Sequence, residues 1–185
     1  MRIVGGAWRG TPLAELGAGD PAAQLRPTTD KVRESLFNLL HHGPYPPLEG
    51  ARVLDLFAGT GALGLEALSR GAAAAHFVDN SPTACALLRT NIAKLNMRDR
   101  ATLSRRDATR LAPPSGAPFT LVFLDPPYGR DLGAPALTAA GAGGWLAPNA
   151  LVVWEEGAPL ASAPEGLTLL DQRRYGTTHI ALLST

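Results

Sequence analysis

The sequence predicts an α/β fold built on an open, mostly parallel sheet, and three observations carry that reading. Strand-like apolar runs alternate with helical patterns from residue 52 onward. A glycine-rich turn joins the first of those strands to the first of those helices. The run Phe119 to Leu124 is apolar except at Thr120, as befits a strand covered on both faces. Strand–helix alternation implies parallel strands joined by right-handed crossovers, and such sheets hold their ligands at the carboxyl ends of the strands.

The elements follow in chain order. Residues 1–13 alternate apolar and polar positions around Gly5-Gly6 and predict a short hairpin. Residues 14–27 look like loop. From Asp30 the pattern DKVRESLFNLLHH sets Val32, Leu36, Leu39 and Leu40 on one helical face, with Thr29 or Asp30 as cap. Gly43-Pro44-Tyr45-Pro46-Pro47 then breaks the chain and suggests a boundary between an N-terminal extension, 1–45, and a main domain, 46–185. Val53 to Phe57 predicts a strand, and residues 61–70 a helix closed by Gly71. Ala74 to Val78 predicts the second strand, and Ser81-Pro82 opens the next helix as cap and first residue. Further strands are expected near 101–104, 119–124 and 150–154. An antiparallel pair over 167–173 and 177–183 should turn at Tyr175-Gly176.

The bulk composition excludes several classes. The 185 residues suit one domain, and 45% hydrophobic against 18% charged residues is ample for a core. The net charge of +1 does not by itself mark a nucleic-acid binder. Cys85 is the single cysteine, expected buried, so neither an internal disulfide nor a cysteine zinc cluster can form. No apolar run approaches the roughly 20 residues of a membrane span, and the N-terminus lacks the apolar stretch of a signal peptide. The expectation is a soluble, cytoplasmic, metal-free monomer. His41, His42 and His179 lack partners at catalytic or metal-ligating spacing.

Residues 55–64, Asp-Leu-Phe-Ala-Gly-Thr-Gly-Ala-Leu-Gly, hold the glycine turn. Gly59, Gly61 and Gly64 let the backbone turn sharply and a ligand approach, and the helix start behind them offers free N–H groups to an anion. Asp79 ends the second strand 20 residues past Gly59, where a carboxylate accepts ribose hydroxyls. A nicotinamide dinucleotide and S-adenosylmethionine both fit to this point, and Asp55 separates them. A carboxylate inside the first strand repels a pyrophosphate but suits the ammonium of a methionine tail. Asp107, beyond the third strand, is placed to take the adenine amino group, and Phe57 and Asn80 complete the set expected to hold S-adenosylmethionine. The bland alternative is that Asp55 only caps a turn, Asp79 caps the next helix and Asp107 is a solvated loop acid balancing Arg105 and Arg106.

Asp125-Pro126-Pro127-Tyr128 follows the apolar strand at its carboxyl end. Two prolines remove two backbone donors and stiffen the turn, so the Asp125 carboxylate and the Pro126 carbonyl face a ligand as pure acceptors. An aromatic amine needs such acceptors, because its lone pair is conjugated into the ring until both N–H groups are held. Positioning then aims the lone pair at the sulfonium methyl. Tyr128 offers a π-face for an extruded base; stacking alone would leave a Phe there nearly silent. A carboxylate only accepts, which leans toward the guanine edge with its adjacent N1–H and N2–H donors over adenine.

Arg2-Ile-Val-Gly-Gly with Trp8-Arg-Gly, the run Arg26 to Asn38 (RPTTDKVRESLFN), Asp55 to Arg70, and Asp125 to Tyr128 together resemble the bacterial 16S ribosomal RNA guanine-N2 methyltransferase family RsmD. The resemblance spans nearly the whole chain. It implies a Rossmann-like class I methyltransferase with a seven-stranded sheet whose last strand is antiparallel, and S-adenosylmethionine as donor. It further implies guanine N2 of small-subunit (16S) rRNA as acceptor, presented within an assembling subunit. One departure is Asp79, where many relatives carry Glu. The N-terminal extension then becomes a candidate RNA contact through Arg2, Trp8, Arg9, Arg26, Lys31 and Arg33, or else a lid over the cofactor. Residues 98–110, with five Arg against two Asp, offer a second phosphate contact. Rival readings are a DNA or RNA adenine-N6 methyltransferase and an idle RNA-binding assembly factor.

Overall fold

The computed structural model describes residues 1–15 and 29–185. Seven strands form one sheet: β1 (Arg52–Leu56), β2 (Ala74–Asp79), β3 (Ala101–Arg105), β4 (Phe119–Leu124), β5 (Leu146–Glu156), β6 (Thr168–Tyr175) and β7 (Thr178–Ser184), in the order β3-β2-β1-β4-β5-β7-β6. The first five strands run parallel, and β7 is antiparallel to both its neighbours. The chain order reverses direction across the β1/β4 pair, so the crevice at their carboxyl ends is the natural ligand site.

Helices α1 (Asp30–His42), α2 (Ala62–Ser69) and α3 (Pro82–Lys94) pack with Val53, Phe77, Phe123 and Val153 on one face. Helix α4 (Gly133–Ala142) and Trp145 cover the other face, against Leu54, Leu56, Val122 and Val152. The caps follow the sequence: Thr29 accepts from Val32 N, and Ser81 accepts from Ala84 N with Pro82 behind it. Cys85 is buried. No helix among the described residues is long and apolar enough to cross a membrane.

Four expectations change. The N-terminal hairpin reduces to a single antiparallel bridge, Arg2 with Pro12, and its tip is a 3-10 turn over Gly6–Trp8. Helix α4 was not foreseen, because its small residues, GAPALTAAGA, carry almost no periodic contrast. Strand β5 starts four residues earlier than expected, running through Pro148 and Asn149. On α1 the fully buried positions are Arg33, Leu36, Phe37 and Leu40, while Val32 and Leu39 are only half-buried.

The first fifteen residues lie along α2. Val4 N donates to Glu66 at 2.8 Å, Trp8 N donates to Ser69 at 3.1 Å, and Ile3 and Leu13 join the α1/α2 core. Asn91 of α3 takes a donor from Ala14 N at 2.7 Å and gives its own N–H groups to Ala14 and Thr60 carbonyls, which ties this segment to the glycine turn.

Candidate active site

Four chain segments meet at the carboxyl ends of β2, β1, β4 and β5. In the turn after β1, Phe57 has φ 59°, a left-handed conformation that costs a β-carbon residue roughly 1–2 kcal/mol. The chain then passes through Gly59 (φ 56°) and Gly61 (φ 80°) into α2. A Cβ at Gly61 would collide with Leu88, and one at Gly64 would lie 2.9 Å from Asp55 Oδ2 and collide with Phe77. The glycines therefore serve close packing of α2 on the sheet as well as the turn.

Asp55 is 2% exposed, and its Oδ2 accepts from Gly64 N at 2.9 Å. Burial pushes its carboxyl up to about 8, opposed by the Gly64 N–H and reinforced by the charge of Asp79. Asp79 is also buried. Its Oδ2 accepts from Gly59 N and its Oδ1 from Ser81 N, both at 2.8 Å. Asp79 thus holds the glycine turn and the start of α3 together, a clamp that spacing alone did not reveal. Each oxygen keeps one lone pair. Asn80 beside it is exposed, and Phe57 is half-buried against the α4-side core. Asp107 is exposed and bound to its own turn, accepting from Thr109 N and Thr109 Oγ1 at 2.8 Å each, which lowers its carboxyl below the usual range.

Asp125 follows β4 directly, and its backbone N–H lies 3.5 Å from Leu56 O of β1. Among the described residues no hydrogen bond reaches its carboxylate. Burial raises its carboxyl well above the ordinary value, and Glu155, Asp55 and Glu156 push the same way. Pro126 is buried, whereas Pro127 is exposed. Tyr128 is 42% exposed, so a ring face remains open, but its hydroxyl donates to Glu155 at 3.1 Å. Glu155 is the residue of this cluster that sequence reasoning missed. The signal was present as an acid at the end of an otherwise apolar strand, Val152-Val153-Trp154.

The candidate RNA contacts divide. Arg33 is 0% exposed. Its guanidinium pairs with Asp30 at 2.8 Å, lies 3.9 Å from Glu66 and bonds the Arg2 carbonyl, so it bolts α1 to the first segment and to α2 instead of meeting RNA. Arg2 is exposed beside Asp30, and Lys31 is exposed on the first turn of α1. Thr60 of the glycine turn contacts Met1 (3.8 Å to the sulfur), which puts Arg2 and Lys31 at the cofactor end. Trp8 bonds Ser69, the last residue of α2, and lies under the Arg100 guanidinium. Trp8 and exposed Arg9 are therefore one helix length, about 12 Å, from the glycine turn. Arg26 lies outside the described residues. In the 98–110 stretch, Arg105 and Arg106 sit at the carboxyl end beside Asp79, and Arg98 and Arg100 at the amino end of β3. No group of three His, Cys, Asp or Glu among the described residues could hold a metal.

A β1–glycine turn–α2 unit, an acid at the end of β2, and a DPPY turn after β4, on a sheet with this strand order, define a class I S-adenosylmethionine-dependent methyltransferase. The comparisons with known proteins narrow the class. The family described as conserved hypothetical protein 95 matches residues 1–184, and the chain belongs to it; this is the RsmD family. Ribosomal RNA small subunit methyltransferase D of Escherichia coli K12 is 41% identical over 155 residues, covering 84% of this chain and 74% of that protein. The protein of that name from Haemophilus influenzae is 36% identical, covering 95% and 89%. Among solved structures, yhhF from Escherichia coli matches with a TM-score of 0.83 at 35% identity, over 100% of this chain and 97% of that one. TrmN from Thermus thermophilus, at 24% identity and a TM-score of 0.67, covers 89% of this chain and 51% of its own and shares the fold.

Proposed function

We propose that the protein transfers a methyl group from S-adenosylmethionine to the exocyclic N2 of a guanine in small-subunit (16S) ribosomal RNA. The observation that carries this is Asp125, a half-buried carboxylate that no protein group hydrogen-bonds among the described residues, beside an open tyrosine ring. The named relatives from Escherichia coli and Haemophilus influenzae support the rRNA substrate.

The residues fit the donor. Asp55, its carboxyl raised by burial and by the charge of Asp79, suits the donor's ammonium. The start of α2 suits its carboxylate, the remaining lone pairs of Asp79 its ribose, and Asp107 its adenine amino group, with Phe57 and Asn80 alongside. When bound, the donor supplies an electrophilic methyl on sulfur. The chain's own part is positional: Asp125 and the Pro126 carbonyl hold the amine protons, and Tyr128 stacks the base. Arg2 and Lys31 form the near RNA contact, Trp8 and Arg9 a remote one, and Arg26 of the same basic motif is a further candidate contact. The extension, residues 1–45, acts as an RNA-contacting and cofactor-facing cover on the main domain. The substrate is the RNA of an assembling subunit, met by a cytoplasmic monomer.

Labelled methyl transfer to small-subunit particles and to duplex DNA, followed by digestion to nucleosides, tests this. The expected product is N2-methylguanosine from particles alone. Methylated adenine, or no transfer at all, would overturn it.

A further inference from the structure

We propose that Glu155 is a positioning residue of this site, holding the Tyr128 hydroxyl and thereby fixing the ring on which the base stacks. The proposal rests on the reading of Asp125 to Tyr128 as the segment that receives the base.

The geometry begins in the sheet. Strands β4 and β5 pair in parallel with Leu124 opposite Trp154, so Asp125 and Glu155 leave the pair at the same level. Phe123 and Val153 belong to one core face, and Glu155, two residues past Val153 in the same strand, points to that face. There it is only 3% exposed, yet one of its oxygens accepts from the hydroxyl of a tyrosine that is 42% exposed. A buried acceptor at the end of a rigid central strand thus reaches out to the tip of a surface ring.

The ring is confined elsewhere as well. A Cβ at Gly157 would stand 3.3 Å from Tyr128 Cδ2, so the backbone just past Glu155 already lies against one ring edge. Thr178 of β7 also lies near the hydroxyl. Burial and the Glu155 charge keep that hydroxyl protonated, hence a donor, at any working pH. A surface tyrosine without such ties would rotate about its side-chain bonds and lose that freedom when a base arrives. A ring fixed beforehand avoids that entropy cost.

The test uses the full chain, labelled methyl transfer to small-subunit particles, and separate KM values for particle and donor. Tyr128→Phe and Glu155→Leu should each raise the particle KM roughly 3- to 10-fold with donor KM unchanged. The double variant should be no worse than the worse single one. Glu155→Gln, which keeps an acceptor oxygen, should recover most of the loss. A wild-type particle KM for Tyr128→Phe, or effects that multiply in the double variant, would overturn the proposal. Should Glu155→Leu fail to fold by thermal melting, Tyr128→Phe and Glu155→Gln decide alone on the same criteria. A wild-type rate from Asp125→Ala, run in parallel, would instead sink the reading of the segment beneath it.

Discussion

On the β1/β2 side of the crevice, Asp55 and Asp79 fasten backbone: Gly64 to one, Gly59 and Ser81 to the other. On the β4 side, Asp125 is half-buried near Glu155 and Asp55 and fastens nothing among the described residues. The same side-chain type at the same end of one sheet is thus used in two ways. The donor side is organised before any ligand arrives, its acids closing the turn they sit in. The acceptor side keeps its hydrogen-bonding capacity open and raises the energy of its charged form. A half-buried carboxylate left open while Asp55 and Asp79 are tied to backbone suits a partner that comes and goes.

The sharpest way to break this contrast is Asp125→Ala. Turnover on particles should fall roughly 100-fold or more while donor affinity and melting temperature hold, since the side chain bonds nothing else. A lower melting temperature with unchanged turnover would make Asp125 a structural acid like its neighbours.

Asp79→Ala should behave in the opposite manner. It releases Gly59 and Ser81 together, so stability should drop by on the order of 1–3 kcal/mol and donor affinity about tenfold or more. Denaturant unfolding and calorimetry read the two effects. Lost donor affinity with full stability would show that the clamp seen here is dispensable.

Asp55 gives a pH test. Its folded-state value of about 8 lies above the ordinary 3.8, so the folded chain keeps a proton that the unfolded chain releases. Stability from this group is therefore greatest at low pH and falls as pH rises from about 4 to about 8. A cationic donor reverses the preference, so binding near neutrality should release up to one proton and tighten by less than tenfold per pH unit. Calorimetry in buffers of different ionisation heat measures the release, and Asp55→Asn should abolish it. An identical release from that variant would acquit Asp55.

The smallest effect is expected at Asp107, exposed and already bonded to Thr109. Asp107→Asn should change donor KM by no more than about fivefold. A larger loss would move it to the organised side of the comparison.

Much of this was legible in the sequence. Strand–helix alternation gave the sheet, because buried parallel strands read as plain apolar runs. The glycine turn and DPPY gave the site, because special backbone needs and stiff acceptors leave few residue choices. Helix α4 escaped because alanine and glycine carry no amphipathic contrast. Arg33 was misplaced because a cation inside a basic motif reads as a surface charge, until Asp30 and Glu66 converge on it from 3 and 33 residues away. The clamp role of Asp79 was hidden for a similar reason: spacing shows where a carboxylate stands, not which N–H groups turn back toward it. Glu155 escaped because its partner lies 27 residues upstream and on another strand's loop.

The insertion of β7 between β5 and β6 also orders events during synthesis. Strand β6 touches the sheet only through β7, and β7 follows it in the chain. Until residues 178–184 have left the ribosome, β5 presents its unpaired edge, rich in Leu151, Val152 and Val153, to whatever is nearby. The nascent chain therefore carries a sticky border from the emergence of β5 until β7 pairs with it, and the tight turn at Gly176 (φ 64°) shortens that exposure by delivering β7 immediately after β6.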